Sequence, residues 1–222
     1  MDLEHARFNM IEQQIRPWNV LDQQVLDLLA VVRREEFVPP ALRAMAFADL
    51  ELPLSVDGQG TGEVMLPPRV EARLLQELQV RSTDTVLEIG AGSGYMAALL
   101  ARRAQQVDSL EIHAGLAAFA RQNLARAGIR NVRVIDADGS RGHQNLAPAD
   151  VIVLSGAVPE VPDSLLDRLN PGGRLAAIVG GLPVMKACIV RRSAQGHLST
   201  EVLFETVTRP LRGFTAQETF SF

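Results

Sequence analysis

Cysteine is nearly absent from this chain: Cys188 is the single one among 222 residues. No internal disulfide can form, which suits a reducing compartment, and the thiol in "VMKACIVRR" reads as a small buried apolar side chain. Basic character is also lacking. The net charge is −4, without the global positive field of nucleic-acid binders, so no nucleic-acid partner is expected. "ARRAQ" and "VRRSAQ" read as solvated ends of elements. No segment reaches the roughly 20 apolar residues of a spanning helix. The N-terminus "MDLEHARFNMIEQQIRPW" has no basic start leading into an apolar run. Neither a membrane association nor a secretory leader is expected, and the location expected is cytoplasmic. His5, His113, His143 and His197 lack metal-ligand spacing and have no cysteine partner, so no metal is expected. There is no G-x-S-x-G elbow and no P-loop.

What is present is an ordered alternation of patterns. Residues 2–50 carry apolar positions at helical spacing (Phe8, Ile11, Ile15; Val25, Leu28, Leu29, Val32). Pro17 breaks the first helix, Asp22 is placed to cap the second, and "FVPPAL" interrupts the pattern before a third short helix. This segment reads as a cap packed beside the main domain, with Trp18 holding it to the core. Residues 51–68, "ELPLSVDGQGTGEVMLPP", read as a glycine- and proline-rich connector. From residue 69 onward, apolar runs ("TVLEI", "VDSLEI", "VRVIDAD", "DVIVLSG", "RLAAIVG") alternate with helical stretches. That alternation predicts a Rossmann-like, doubly wound α/β fold around a mainly parallel sheet of seven strands. The tail "KACIVRRSAQGHLSTEVLFETV" predicts two strands joined by a polar turn, an antiparallel addition at the C-terminal edge. The expected organisation is a helical extension and connector over 1–68 and a cofactor-binding domain over 69–222, forming one structural unit.

The stretch "TDTVLEIGAGSGYMAALLARR" joins a strand, a glycine turn and a helix. A dinucleotide fingerprint, G-x-G-x-x-G, would need glycines at 90, 92 and 95; position 95 is Tyr95, and the third glycine is Gly94. Glu88, just before the turn, would repel a pyrophosphate and suit a ligand bearing positive charge. S-adenosylmethionine carries a sulfonium and an ammonium and no phosphate. The pattern E-x-G-x-G-x-G, Glu88, Gly90, Gly92 and Gly94 with Ala91 inside it, resembles the cofactor loop of class I S-adenosylmethionine-dependent methyltransferases. Glu111, followed by Ile112, ends the next strand, where a carboxylate can accept both ribose hydroxyls. Asp138 and Gly139, after the third strand, resemble that family's adenine contact.

The resemblance extends over nearly the whole chain. "RREEFVP", "AFADLELPL", "VLEIGAGSGYMAALLA", "DADGSRG", "APADVIVLSGAVPEVPDSLLDRLNPGGRLAAIVG" and "VTRPL" follow one another in an order that resembles the protein-L-isoaspartate O-methyltransferase family. The resemblance implies S-adenosyl-L-methionine as cofactor and a methyl acceptor that is the carboxylate of L-isoaspartyl (D-aspartyl) residues in damaged proteins or peptides. Such a carboxylate is already ionised at neutral pH, so no catalytic base is required.

One departure stands out. The family carries G-Q-T-I-S-x-P in the connector, and here Glu63, Val64, Met65 and Leu66 stand for Gln, Thr, Ile and Ser, with Pro68 retained. Both hydroxyls facing the acceptor are gone; a lost hydrogen bond to a charged group costs about 1.5 to 3 kcal/mol. Three expectations follow. Thr61 or Ser155 supplies a hydroxyl in place of Leu66; or the acceptor is a different, more apolar or differently charged small molecule; or the chain binds the cofactor with little turnover. No catalytic residue is assigned on sequence alone.

Overall fold

The computed structural model describes residues 2–141 and 146–215. Helix α1, Leu3–Met10, begins where the Asp2 carboxylate accepts the N–H groups of Glu4 and His5. A π-turn (Ile11–Ile15) and a 3-10 turn (Arg16–Trp18) containing Pro17 end it at Asn19, in the left-handed region at φ 62°. Asp22 caps α2, Gln23–Val31, by accepting from Gln24 N–H, as the sequence predicts. Short 3-10 turns at Arg34–Glu36 and Pro40–Met45 complete the extension. Its apolar faces do not form a separate layer: Met10, Ile15, Leu26, Leu29 and Phe37 pack in one cluster with residues of the central sheet and its helices. Trp18 meets Phe204 edge-on at 4.9 Å between ring centroids, and the Arg69 guanidinium lies 4.1 Å from its ring centroid.

Residues 51–68 are not the irregular connector expected. They form a β-hairpin, β1 (Leu52–Val56) against β2 (Gln59–Met65), antiparallel and closed by Asp57 and Gly58. Both turn residues have positive φ, 51° and 78°, the conformation a two-residue hairpin turn demands, and Asp-Gly is the sequence that adopts it at least cost.

Helix α3, Pro68–Leu78, leads into β3 (Thr85–Ile89), α4 (Tyr95–Ala101), β4 (Gln106–Glu111), α5 (Ala114–Arg126) and β5 (Val132–Asp136). Then come β6 (Ala149–Val158), the one-turn α6 (Asp163–Leu166), β7 (Leu169–Gly181), β8 (Val184–Arg192) and β9 (Leu198–Thr206). The stretch "NPGG", a turn by composition, is continuous with β7. The sheet order is β5-β4-β3-β6-β7-β8-β9. The first five strands are parallel, β8 runs against β7, and β9 runs against β8. This is the doubly wound, Rossmann-like arrangement expected, with its antiparallel addition at the C-terminal edge.

Alternation along each strand sends side chains to opposite faces. Val86, Val107 and Val153 join the N-terminal helices, α3, α4 and α5 on one face. Leu87, Ile89, Leu110, Ile152 and Leu154 pack with Leu165 of α6 and Leu175 on the other. Glu88 and Ser109 share the first face, and both are fully buried. Cys188 is buried, and burial raises its thiol pKa. Beneath the hairpin, Arg34 is 0% exposed and ion-paired with Glu71 of α3. It also donates to Ala46 O (3.0 Å) and Leu66 O (2.6 Å). The pair ties the extension, the end of β2 and α3 together.

Candidate active site

Strands β3, β4 and β5 lead away from the centre to one side of the sheet, and β6 and β7 to the other. The chain therefore switches direction between β3 and β6, and an open α/β sheet forms its crevice at the carboxyl ends beside such a switch. A cleft opens there. Gly90, Gly92, Glu111, Ile112 and Gly139 line it from the ends of β3, β4 and β5, and Ser155 from β6. Glu63 and Val64 close it from the hairpin, Leu211 and Arg212 from the C-terminal segment. A second, deeper chamber next to it is lined by Val64, Leu66, Glu71, Glu88, Ala91 and Ser155.

The glycine turn is shaped by its backbone. Gly90, Gly92 and Gly94 have φ of 93°, 52° and 83°, a region that residues with a Cβ seldom occupy. A Cβ on Gly90 would stand 2.8 Å from Leu211 Cδ2, and one on Gly94 would stand 3.3 Å from the backbone of Ala120 in α5. The N–H groups of Gly90 and Ala91 both donate to Leu110 O, at 2.8 and 3.1 Å, which anchors the turn to β4.

Glu111 binds the same turn from the other side. Its Oε2 accepts from Gly92 N–H at 2.8 Å and its Oε1 from His113 N–H at 2.9 Å. Desolvation raises its pKa, with those two backbone donors pulling the other way. Glu88 is 0% exposed and is held by Ser109 Oγ at 2.5 Å and Ser155 Oγ at 2.9 Å. Desolvation dominates there, and its pKa is pushed up to about 8 against the two hydroxyls. Glu88 is therefore largely a neutral acid at pH 7, aimed into the deeper chamber.

Asp138 takes the Ser140 N–H and hydroxyl on Oδ1, at 2.9 and 2.6 Å, and so shapes the turn carrying Gly139. Gly139 admits no side chain, because a Cβ there would fall 2.3 Å from Ile89 Cγ2. Of the sequence-predicted residues, Gly90, Gly92, Glu111, Ile112 and Gly139 line the cleft and Glu88 and Ala91 the chamber beside it, whereas Gly94 and Asp138 line neither and shape the turns behind them.

The two hydroxyls considered as substitutes are both engaged. Thr61 Oγ1 donates to Leu54 O (2.9 Å) inside the hairpin, and Ser155 Oγ donates to Glu88. Of the four substituted positions, Glu63 and Val64 face the cleft, while Met65 and Leu66 are each 4% exposed and pack in the core beside the deeper chamber. His143 lies outside the described residues. Among the described residues no cluster of His, Cys, Asp or Glu could hold a metal, and no helix is long and apolar enough to cross a membrane.

Sequence reasoning missed the C-terminal contribution. Ala157 N–H donates to Arg209 O (3.0 Å), and Leu211 N–H donates to Ala157 O (2.8 Å). The segment therefore runs on beside the end of β6, which brings Leu211 and Arg212 over the cleft. "VTRPL" marked the segment as characteristic without showing where it goes.

Arg34 is paired with Glu71 and Arg212 with Glu63, and Glu88 is held largely protonated, so Glu111 is the lining carboxylate that no side-chain ion pair offsets. No cation stands at the glycine turn among the described lining residues. That electrostatic balance disfavours a pyrophosphate and suits a cationic ligand. Fold and site together define a class I methyltransferase architecture. A model of the family described as "Protein-L-isoaspartate(D-aspartate) O-methyltransferase (PCMT)" matches residues 5–213, and the chain belongs to that family. It is 40% identical over 211 residues to a protein-L-isoaspartate O-methyltransferase of Koribacter versatilis, covering 95% of this chain and 91% of that one. It is 44% identical over 174 residues to a protein of the same name from Methanoculleus marisnigri, covering 78% and 77%. A Plasmodium falciparum protein of that description, solved in complex with S-adenosyl-L-homocysteine, superposes with a TM-score of 0.76 at 18% identity, covering 96% of this chain and 99% of that one. At that identity the likeness speaks for the fold.

Proposed function

We propose that this protein transfers a methyl group from S-adenosyl-L-methionine to the carboxylate of L-isoaspartyl (D-aspartyl) residues in proteins or peptides. The observation that carries the reading is an acidic, glycine-walled cleft at the switch point of the sheet, in a chain that belongs to this family. S-adenosylmethionine, when bound, supplies a methyl group on a positively charged sulfur. The residues present fit such a ligand. Glu88 and the turn of Gly90, Ala91, Gly92 and Gly94 would hold its methionine part, Glu111 and Ile112 the ribose, and Asp138 and Gly139 the adenine. Gly139 presents bare backbone to the cleft, and Glu111, already fixed by two backbone donors, keeps lone pairs for two hydroxyls.

The acceptor oxygen needs no base, because a carboxyl group is ionised well below neutral pH. The work left to the protein is alignment. Val64 and Leu211 present apolar surface beside the glycine turn, and holding the two centres in line there supplies most of what the step requires. Residues 1–68 serve as the acceptor-side wall and 69–222 as the cofactor domain, acting as one unit through the Arg34–Glu71 pair and the shared core.

The test is transfer of labelled methyl from S-adenosylmethionine to an isoaspartyl peptide, beside the same peptide with ordinary aspartate. Selective labelling of the first supports the proposal. Cofactor binding with no transfer to either would overturn it and turn attention to another small acceptor.

A further inference from the structure

A carboxylate acceptor entering this cleft meets Glu111 and Glu63, and must find a positive partner to stay. Among the described residues that line the cleft, the one cation is Arg212. Its Nε pairs with Glu63 Oε1 at 2.5 Å, and its Nη2 donates to Thr61 O at 2.7 Å. The side chain is 51% exposed while Glu63 is 20% exposed, so the guanidinium keeps an open edge toward the mouth. A guanidinium has five N–H donors arranged to fork a carboxylate. At the cleft mouth Val64 is apolar, and the hydroxyls of Thr61 and Ser155 are already donated to Leu54 O and Glu88. The backbone pairing of Arg209 and Leu211 with Ala157 fixes the segment on which Arg212 stands.

We propose that Arg212 receives the carboxylate of the methyl acceptor and that Glu63 is its positioning partner, holding the guanidinium across the cleft mouth until the acceptor takes Glu63's place. The inference rests on the methyl-transfer reading above. One carboxylate oxygen pairs with Arg212 and the other attacks the methyl carbon. An O–C bond forms, the C–S bond breaks, and its electron pair stays on sulfur as a neutral thioether. No proton moves. The acceptor leaves as a neutral ester with no charge for Arg212 to bind, so Glu63 recovers the guanidinium and the product is released. Arg212 thereby selects for a carboxylate and discriminates against its own product.

The experiment uses the full chain, with Arg212→Gln, Arg212→Lys and Glu63→Gln beside the wild type. An isoaspartyl peptide is the substrate, and the same peptide with that carboxylate converted to carboxamide is a competing ligand. Arg212→Gln is expected to raise KM for the peptide by about 10- to 100-fold, the loss of a hydrogen bond to a charged group, with cofactor Kd unchanged. It should also erase the preference for carboxylate over carboxamide. Arg212→Lys should recover part of KM, and Glu63→Gln should lower KM because Arg212 loses its internal competitor. An active wild type with KM and carboxylate preference unchanged in Arg212→Gln would overturn the assignment alone. A wild type that methylates no isoaspartyl peptide would overturn the underlying reading, and this assignment with it.

Discussion

The backbone N–H of Gly92 donates to Glu111 Oε2 at 2.8 Å, so a carboxylate at the end of β4 holds the turn that follows β3. One side chain thus shapes the glycine turn and offers its remaining lone pairs to the cleft. Glu111→Ala is expected to weaken S-adenosylmethionine binding by about 10- to 100-fold, since both the proposed ribose partner and the anchor of the turn are lost. Titration calorimetry on a variant with an unaltered circular dichroism spectrum measures this. An unchanged Kd would remove Glu111 from the cofactor site.

Glu88 links the protein to pH in two ways. Its pKa rises from 4.5 to about 8 on burial, so between those values the folded chain holds a proton that the unfolded chain releases. Its contribution to stability is fully present below about pH 4.5, declines as pH rises, and is lost by about pH 8. A cationic ligand favours the ionised form, so binding below pH 8 should expel a proton and Kd should fall with rising pH until about 8. Calorimetry in buffers of different ionisation heat counts that proton. Glu88→Gln should abolish both the proton release and this part of the stability slope; persistence of either would place the titration elsewhere.

Arg34 and Glu71 are an ion pair removed from water. Glu71→Leu leaves the Arg34 charge buried alone and should cost about 3 to 5 kcal/mol in urea unfolding, whereas Arg34→Met should cost less, because burial already pushes the Glu71 carboxyl up to about 7 and it takes up a proton once the guanidinium is gone. The double variant Arg34→Met with Glu71→Leu should cost less than the sum of the two. Strict additivity would contradict a direct coupling.

Val64 and Leu66 occupy the positions whose hydroxyls the resemblance would lead one to restore, yet they face different surroundings. Val64→Thr keeps the shape and puts a hydroxyl on the cleft wall, so kcat/KM on an isoaspartyl peptide should rise by up to about tenfold. Leu66→Ser removes buried carbon from the core, and is expected to lose about 2 to 5 kcal/mol of stability with no gain in activity. A gain from Leu66→Ser rather than Val64→Thr would reverse this placement.

Much of the site was legible because it is local. Glu88, the glycine turn and Tyr95 lie within eight consecutive residues, and strand ends carrying Glu111 and Asp138 follow from the alternation of patterns. Asp57-Gly58 is a hairpin signal that the reading of 51–68 as a connector passed over, because Gly60 and Gly62 break the alternation expected of a strand in β2. The pairing of Arg34 with Glu71, the arrival of Leu211 over Gly90 and that of Arg212 beside Glu63 depend on packing between segments far apart in the chain. Periodicity carries no information about such contacts. Thr61 and Ser155 show the same limit: residue type promised free hydroxyls, and the folded backbone and Glu88 take them.

The most direct measurement is a single-turnover reaction with an isoaspartyl peptide, followed by fragmentation mass spectrometry and by quantifying S-adenosylhomocysteine. The account predicts one methyl ester per S-adenosylhomocysteine formed, placed on the isoaspartyl carboxylate, and none on the matched aspartyl peptide. Equal methylation of both peptides, or methyl found on any other group, would contradict it.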